Sequence, residues 1–152
     1  MTKIATSLPL DPDVERLIHD SFSRQGLMRH LGAELHEVSR GRVSIRLPFS
    51  ENLTQQHGYF HAGGTSAIAD SAGGYAGFTL FPPDSSVLTV EFKINLLAPG
   101  AGEEFIGRGK VVKVTRRTVV AQGEVFAVEN DEEKLIAIAT ATLMRVADPL
   151  SA

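Results

Sequence analysis

Apolar positions recur along the 152-residue chain in two rhythms, separated by one segment that follows neither. The first rhythm is helical. Val14, Leu17, Ile18 and Phe22 fall at helical spacing behind Asp11-Pro12, with Asp11 suited to the N-cap, Pro12 to the first helical position and Gly26 to the stop. From Gly32 the rhythm changes to period two. Gly41 divides two extended runs, and Val43, Ile45, Leu47 and Phe49 alternate strictly, which predicts a half-buried strand as the second arm of a hairpin. Pro48 predicts that this strand ends there or lies at an edge. Residues 50–61 are polar, include Gly58, and read as a loop. Leu88, Val90, Phe92, Ile94 and Leu96 alternate again up to Ala98-Pro99-Gly100. Three more β-rich runs follow at 105–115, 118–128 and 135–146, with turns at Thr115-Arg116 and Glu129-Asn130-Asp131-Glu132. The order is one helix, two strands, an unusual central segment and four strands. It predicts an α+β domain with a mainly antiparallel sheet.

Length and composition narrow the classes. A chain of this size makes one domain, since domains run to about 150 residues. With 43% hydrophobic residues and a formal charge of −3, disorder is not expected. Fifteen Lys and Arg against 18 Asp and Glu make a poor ligand for duplex nucleic acid, which rewards basic surfaces. The absence of cysteine excludes a disulfide framework, a thiol nucleophile and any Cys-ligated metal. Residues 1–16 hold no apolar run of signal-peptide length, and no stretch reaches the roughly 18 apolar residues of a membrane span. A soluble cytoplasmic protein without a membrane partner is expected.

The central segment carries the chemistry. Twelve of the sixteen residues from Ala62 to Gly77 are Gly, Ala or Ser, and five of these are Gly. As a helix it would not hold alone in water, because each Gly costs about 1 kcal/mol against Ala. It needs walls that come close, which the flanking strands can supply. A helix here would begin with bare N–H groups near Ala62, Gly63 and Gly64, forming a site suited to an oxyanion or phosphate. Asp70, on the same segment, is the only charged residue between Glu51 and Asp84. Ala62 and Asp70 are eight residues apart, so roughly 12 Å separates them along a helix. An oxyanion donor and a base serving one carbonyl must both lie within a few ångströms of it. One chain therefore cannot supply both. Two antiparallel copies of the helix, related by a two-fold axis, could.

A loop with Gln, then a Gly, then a His opening a small-residue helix, then an acid nine positions after that His, resembles the hotdog-fold acyl-CoA thioesterases of the PaaI-like (phenylacetic acid degradation) type. The run here is Gln55-Gln56-His57-Gly58-Tyr59-Phe60-His61-Ala62-Gly63-Gly64, with Asp70 nine after His61. Leu31-Gly32-Ala33-Glu34-Leu35, Gly41, Leu47-Pro48, Thr89-Val90-Glu91-Phe92 and Ala98-Pro99-Gly100 also fit, so the resemblance covers residues 27–146. It implies a single-domain α+β hotdog fold: a curved antiparallel β-sheet wrapped around a long central α-helix, with an extra N-terminal helix. The N-terminal helical segment would span 1–26 and the thioesterase domain 27–148. It further implies a homodimer with shared active sites, paired into a dimer of dimers, acting on acyl-CoA without a cofactor or metal. By the same resemblance Gln55 and the Ala62 N–H would hold the thioester carbonyl. Asp70 of the partner subunit would be base or nucleophile, and Thr89 would help hold the water. The family's first Gly is Ala62 here, which keeps the N–H but places a methyl beside the substrate path. Thr89 falls out of phase with Leu88, Val90 and Phe92, which weakens its assignment.

Other residues have alternative readings. His61 either contacts the thioester region or caps the helix. Coenzyme A carries phosphates, so Gly63, Gly64 and the basic run of Lys110, Lys113, Arg116 and Arg117 are candidates to bind it, or the basic run is a solvated strand end. Tyr59, Phe60, Tyr75, Phe78 and Phe81 could line an acyl pocket or pack the core. His57 and His61 with Asp70 make a poor metal set, because Gly58 breaks the helix that would align them. Gly64-Thr65-Ser66-Ala67-Ile68 lacks the second Gly of a nucleophile elbow. The alternatives to hydrolysis are a non-catalytic acyl-CoA-binding module and a hotdog dehydratase, the latter requiring a catalytic His paired with an acid.

Overall fold

The computed structural model describes residues 8–147. The first seven residues of the expected N-terminal segment, and the end of the expected domain at 148, lie outside them. Helix α1 (Pro12–Arg24) is capped as its sequence predicts, with Asp11 accepting the Asp13 N–H at 2.9 Å. Its stop falls one residue early. Gln25 is extended and ends α1, and Gly26 then opens a short second helix, α2 (Gly26–Leu31). The left-handed cap is Gly32 (φ 75°), so the helix-ending glycine is the second of the two. Strands β1 (Glu34–Ser39) and β2 (Arg42–Pro48) form the expected hairpin around Gly41 (φ 76°), and β2 ends at Pro48. A single 3-10 turn, Glu51–Leu53, interrupts the loop. Helix α3 (Ala62–Phe78) is followed by β3 (Ser85–Leu96), β4 (Glu104–Val114), β5 (Thr118–Glu129) and β6 (Glu132–Ala147). Asn130 and Asp131 both take positive φ at the β5–β6 turn, as a tight hairpin requires.

The six strands form one sheet in the order β1-β2-β4-β5-β6-β3, antiparallel throughout. Bulges in four of the five pairings increase the local twist and curl the sheet. Its concave face wraps α3. Val43, Ile45, Leu47, Phe105, Val119, Val125 and Leu143 are buried there against Ile68, Ala72 and Ala76. This is the expected α+β architecture: a curved sheet around a long central helix, with helical structure added at the N-terminus. The close approach is made from both sides. The small face of α3 meets sheet glycines, and Cβ atoms added at Gly107 and Gly123 would come within 3.0 and 3.2 Å of the carbonyl oxygens of Ile68 and Ala69. No helix among the described residues is long and apolar enough to cross a membrane.

The alternation in β3 is corrected by a bulge. The register shifts between Thr89 and Glu91, leaving Val90 as the extra residue. Directly opposed residues share a face, so Thr89 (opposite Leu143) and Phe92 (opposite Ala141) both look toward α3, whereas Leu88 (opposite Met144) looks away. Thr89 is therefore in phase with the inner face, and the parity objection to it falls.

Candidate active site

The loop before α3 is fixed by backbone bonds on both flanks. The Phe60 N–H donates to Gly100 O at 2.8 Å and the His61 N–H to Leu53 O at 2.8 Å. Phe60 stacks on Phe105 at 4.0 Å between ring centres. Gly100 must be small, because a Cβ there would come within 2.9 Å of the Phe60 Cβ. Within the loop Gln55 makes a tight turn: its N–H donates to Tyr59 O, its carbonyl accepts from Gly58, and Gly58 takes φ 83°. Its side-chain Oε1 accepts the His57 N–H. That bond fixes the carboxamide, and Nε2 makes no hydrogen bond among the described residues.

His61 is the N-cap of α3, and its Nδ1 accepts the Gly63 N–H at 2.8 Å. The Gly64 N–H donates to His61 O at 3.0 Å. Two of the three expected free donors are therefore engaged, and the Ala62 N–H is the first-turn donor that remains. Gly63 and Gly64 also leave room for neighbouring rings. A Cβ on Gly63 would press on the His61 ring at 2.9 Å, and one on Gly64 would meet the Phe60 ring at 2.8 Å or less. Ala62 and Gln55 line one cleft, of about 250 Å³, with Tyr59, Leu96, Pro99 and Gly100.

Asp70 lies two turns further along α3 and is half-buried. The Thr89 hydroxyl donates to its Oδ1 at 2.8 Å, which orients the carboxylate and leaves Oδ2 open. Both line a second cleft, of about 270 Å³, between α3, β3 and the N-terminal helices. Within one protomer Gln55 and Ala62 thus line one cleft and Asp70 another, in keeping with the eight residues that separate Ala62 and Asp70 along α3.

The aromatic residues divide. Exposed Tyr59 and buried Phe60 line the first cleft, buried Tyr75 and Phe78 line the second, and Phe81 is buried in the core. Burial pushes the Tyr75 phenol above its ordinary range, and its hydrogen bonds to Ser21 and Gln25 oppose this. The basic run divides as well. Arg116 and Arg117 line a cleft with Asp84 and Arg145, whereas Lys110 lies on the far face of the sheet with Arg42 and Arg108. Lys113 lines neither. Arg145 joins the basic cleft from the end of β6, and its isolated place in the sequence gives no sign of this. Arg108 donates two hydrogen bonds to the Glu133 carboxylate (2.6 and 2.7 Å), which hold that carboxyl below its usual range.

Comparison with known proteins bears on this geometry. The model of the thioesterase superfamily matches residues 57–134. The structure is similar to that of a thioesterase family protein from Silicibacter pomeroyi (46% identity, TM-score 0.86, covering 88% of this chain and 98% of that one). It shares its fold with the E. coli PaaI protein from the phenylacetic acid degradation operon (19% identity, TM-score 0.80, 91% and 96% covered). The 1,4-dihydroxy-2-naphthoyl-CoA hydrolase of Listeria monocytogenes is 25% identical over 78% of this chain and 94% of its own.

Proposed function

This chain belongs to the thioesterase superfamily, and on that premise we propose that it hydrolyses an acyl-CoA thioester to the free acid and CoA at sites shared between two subunits. The observation that carries the reading is the pairing of donors. Among the described residues neither the Ala62 N–H nor the Gln55 Nε2 makes a hydrogen bond, and Ala62 and Gln55 line the same cleft. Two such donors suit a thioester oxygen that gains negative charge as the carbonyl is attacked, and each donor of this kind contributes roughly 2.7–4 kcal/mol in the better cases.

The acid comes from the other subunit. An antiparallel copy of α3 would bring its Asp70 to the carbonyl held by Gln55 and Ala62. Strand β3 supports that pairing. It is twelve residues long, pairs with β6 alone among the described residues, and exposes Leu88, Val90, Phe92 and Leu96. A long apolar edge of this kind is a template for another strand. A second copy of β3 would extend the sheet and lay the two central helices side by side. Dimers would then pair again, as the resemblance implies.

Asp70 oriented by Thr89 serves either of two routes. Its free Oδ2 takes a proton from water as the water oxygen adds to the carbonyl carbon; the C–S bond then breaks and the CoA sulfur leaves with a proton. Alternatively Oδ2 adds to the carbonyl carbon itself, CoA leaves, and water cleaves the mixed anhydride. Arg116, Arg117 and Arg145 form a basic cleft suited to CoA phosphates. A cytoplasmic setting belongs to the same proposal. The test is release of free thiol from short, medium, aromatic and hydroxyaromatic acyl-CoAs. The wild-type protein is expected to release thiol from at least one class at enzymatic rates. Binding across the panel without thiol release would contradict hydrolysis and favour a non-catalytic acyl-CoA-binding role.

A further inference from the structure

On the side of the sheet away from α3, two rows of polar side chains cross β1, β2, β4 and β5. Val43 and Ile45 are buried against α3, and Cβ atoms added at Gly107, Gly109 and Gly123 would point at its backbone. Their neighbours along each strand therefore face the other way. One row runs Ser39, Arg42, Lys110, Gln122, each residue directly opposite the next. The other runs Glu37, Ser44, Arg108, Glu124. The two rows line a cleft of about 270 Å³. None of these residues lines the clefts of Gln55 or Asp70.

Two features of this cleft are unbalanced. Arg42 stands directly opposite Lys110, and like charges so placed repel. Neither forms an ion pair among the described residues. The nearby carboxylates serve a different cation: Glu133, Glu37 and Glu124 all favour the charged form of Arg108. Arg108 is also fixed in place, bonded twice to Glu133 and lying 4.6 Å over the Phe126 ring. The second feature is Ser44. It is 5% exposed, and its hydroxyl oxygen is buried without a hydrogen-bond partner among the described residues. Buried polar groups are normally satisfied, so this orphan asks for a partner that enters the cleft. One group answers both features. An oxyanion accepts hydrogen bonds from Arg42, Lys110 and Ser44 together and cancels the repulsion between the two cations. Glu37 and Glu124 restrict it to a compact anion, because they stand at the two ends of the Ser44 row and repel a polyanion laid across the strands. The cleft is larger than the roughly 150 Å³ that holds a benzene ring, so a small organic group fits beside the anion.

We propose that Arg42, Lys110 and Ser44 form a second ligand site, on the outer face of the sheet, that binds a phosphate group, either the free ion or a small phosphate monoester. The site lies behind the core. Gly109, between Arg108 and Lys110, carries the backbone that α3 rests on, since a Cβ there would fall 2.2 Å from the Ala72 carbonyl. A ligand that ties Arg42 of β2 to Lys110 of β4 therefore braces the sheet under the central helix. Because it binds the folded chain and not the unfolded one, it raises stability.

The experiment is calorimetric titration with inorganic phosphate and with glycerol 3-phosphate, at an ionic strength held constant with chloride. It uses an Arg116→Gln/Arg117→Gln protein, which removes the other basic cleft from the signal. Arg42→Gln, Lys110→Gln and Ser44→Ala are then added singly, and thermal midpoints in chloride verify that each variant folds. At least one probe is expected to bind and to raise the thermal midpoint. Arg42→Gln and Lys110→Gln are each expected to weaken binding by roughly 10-fold or more, and Ser44→Ala by about 3-fold or more. Each loss should be matched by a smaller rise in midpoint with the probe. Tighter binding of glycerol 3-phosphate identifies a phosphate monoester as the ligand class, and equal or tighter binding of inorganic phosphate identifies the free ion. Dissociation constants above about 10 mM for both probes overturn the proposal, as does an affinity that Arg42→Gln and Lys110→Gln leave unchanged. Neither result bears on hydrolysis, whose residues lie in other clefts.

Discussion

Asp70→Asn is expected to lower kcat/KM for thioester hydrolysis by about 10²–10⁴-fold while acyl-CoA binding is kept. Asn fills nearly the same volume, and its carbonyl oxygen can still accept the Thr89 hydroxyl now bonded to Oδ1. It cannot take a proton from water or add to a carbonyl. The loss should therefore fall on kcat, with little change in affinity. Free-thiol release gives the rate and calorimetry the affinity. Equal turnover by the two proteins would remove Asp70 from the chemistry. The same substitution should leave the thermal midpoint nearly unchanged, because the carboxylate is half-buried and makes one side-chain bond among the described residues.

Gly109→Ala is expected to cost at least about 4 kcal/mol, a large share of the roughly 5–15 kcal/mol that holds a domain folded. The added methyl would fall on the carbonyl group of Ala72 and within 2.6 Å of the Gly73 nitrogen. Those are backbone atoms of the central helix and cannot swing aside as a side chain can. Either α3 lifts from the sheet or β4 bends, and both moves disturb the core. Gly123→Ala is the graded control, since its methyl would stop 3.2 Å from the Ala69 oxygen, and roughly 1–3 kcal/mol is expected. Chemical denaturation measures both. Similar midpoints for the two variants would show that helix–sheet contact is not what limits stability.

The fold is legible in the sequence where a single period persists. Period-two alternation marks β2, and the small residues of the central segment announce a helix that its neighbours must approach closely. Legibility fails where one residue resets the phase. The bulge at Val90 leaves no mark in the alternation of Leu88, Val90 and Phe92, so Thr89 reads as facing away when it bonds Asp70. Gly26 reads as a helix stop, but the backbone already breaks at Gln25 and Gly26 begins α2. At the site, the His-to-acid spacing along one helix places His61 and Asp70. The free donor at Ala62 is less predictable, because it depends on where the His61 ring turns and which N–H it takes. The contacts of Gln25 with Ser71 and Tyr75 are beyond a local reading: 46 and 50 residues separate the partners.

A two-protein mixing experiment tests the shared site most directly. Gln55→Ala and Asp70→Asn proteins, each nearly inactive alone, are mixed in equal amounts under conditions that exchange subunits, and exchange is verified by native mass spectrometry. Half the dimers are then mixed, and each holds one site with both lesions and one with neither, so activity should recover to about a quarter of wild type. Verified exchange with no gain over the parent proteins would mean that donors and acid act within one chain, contrary to the geometry of α3.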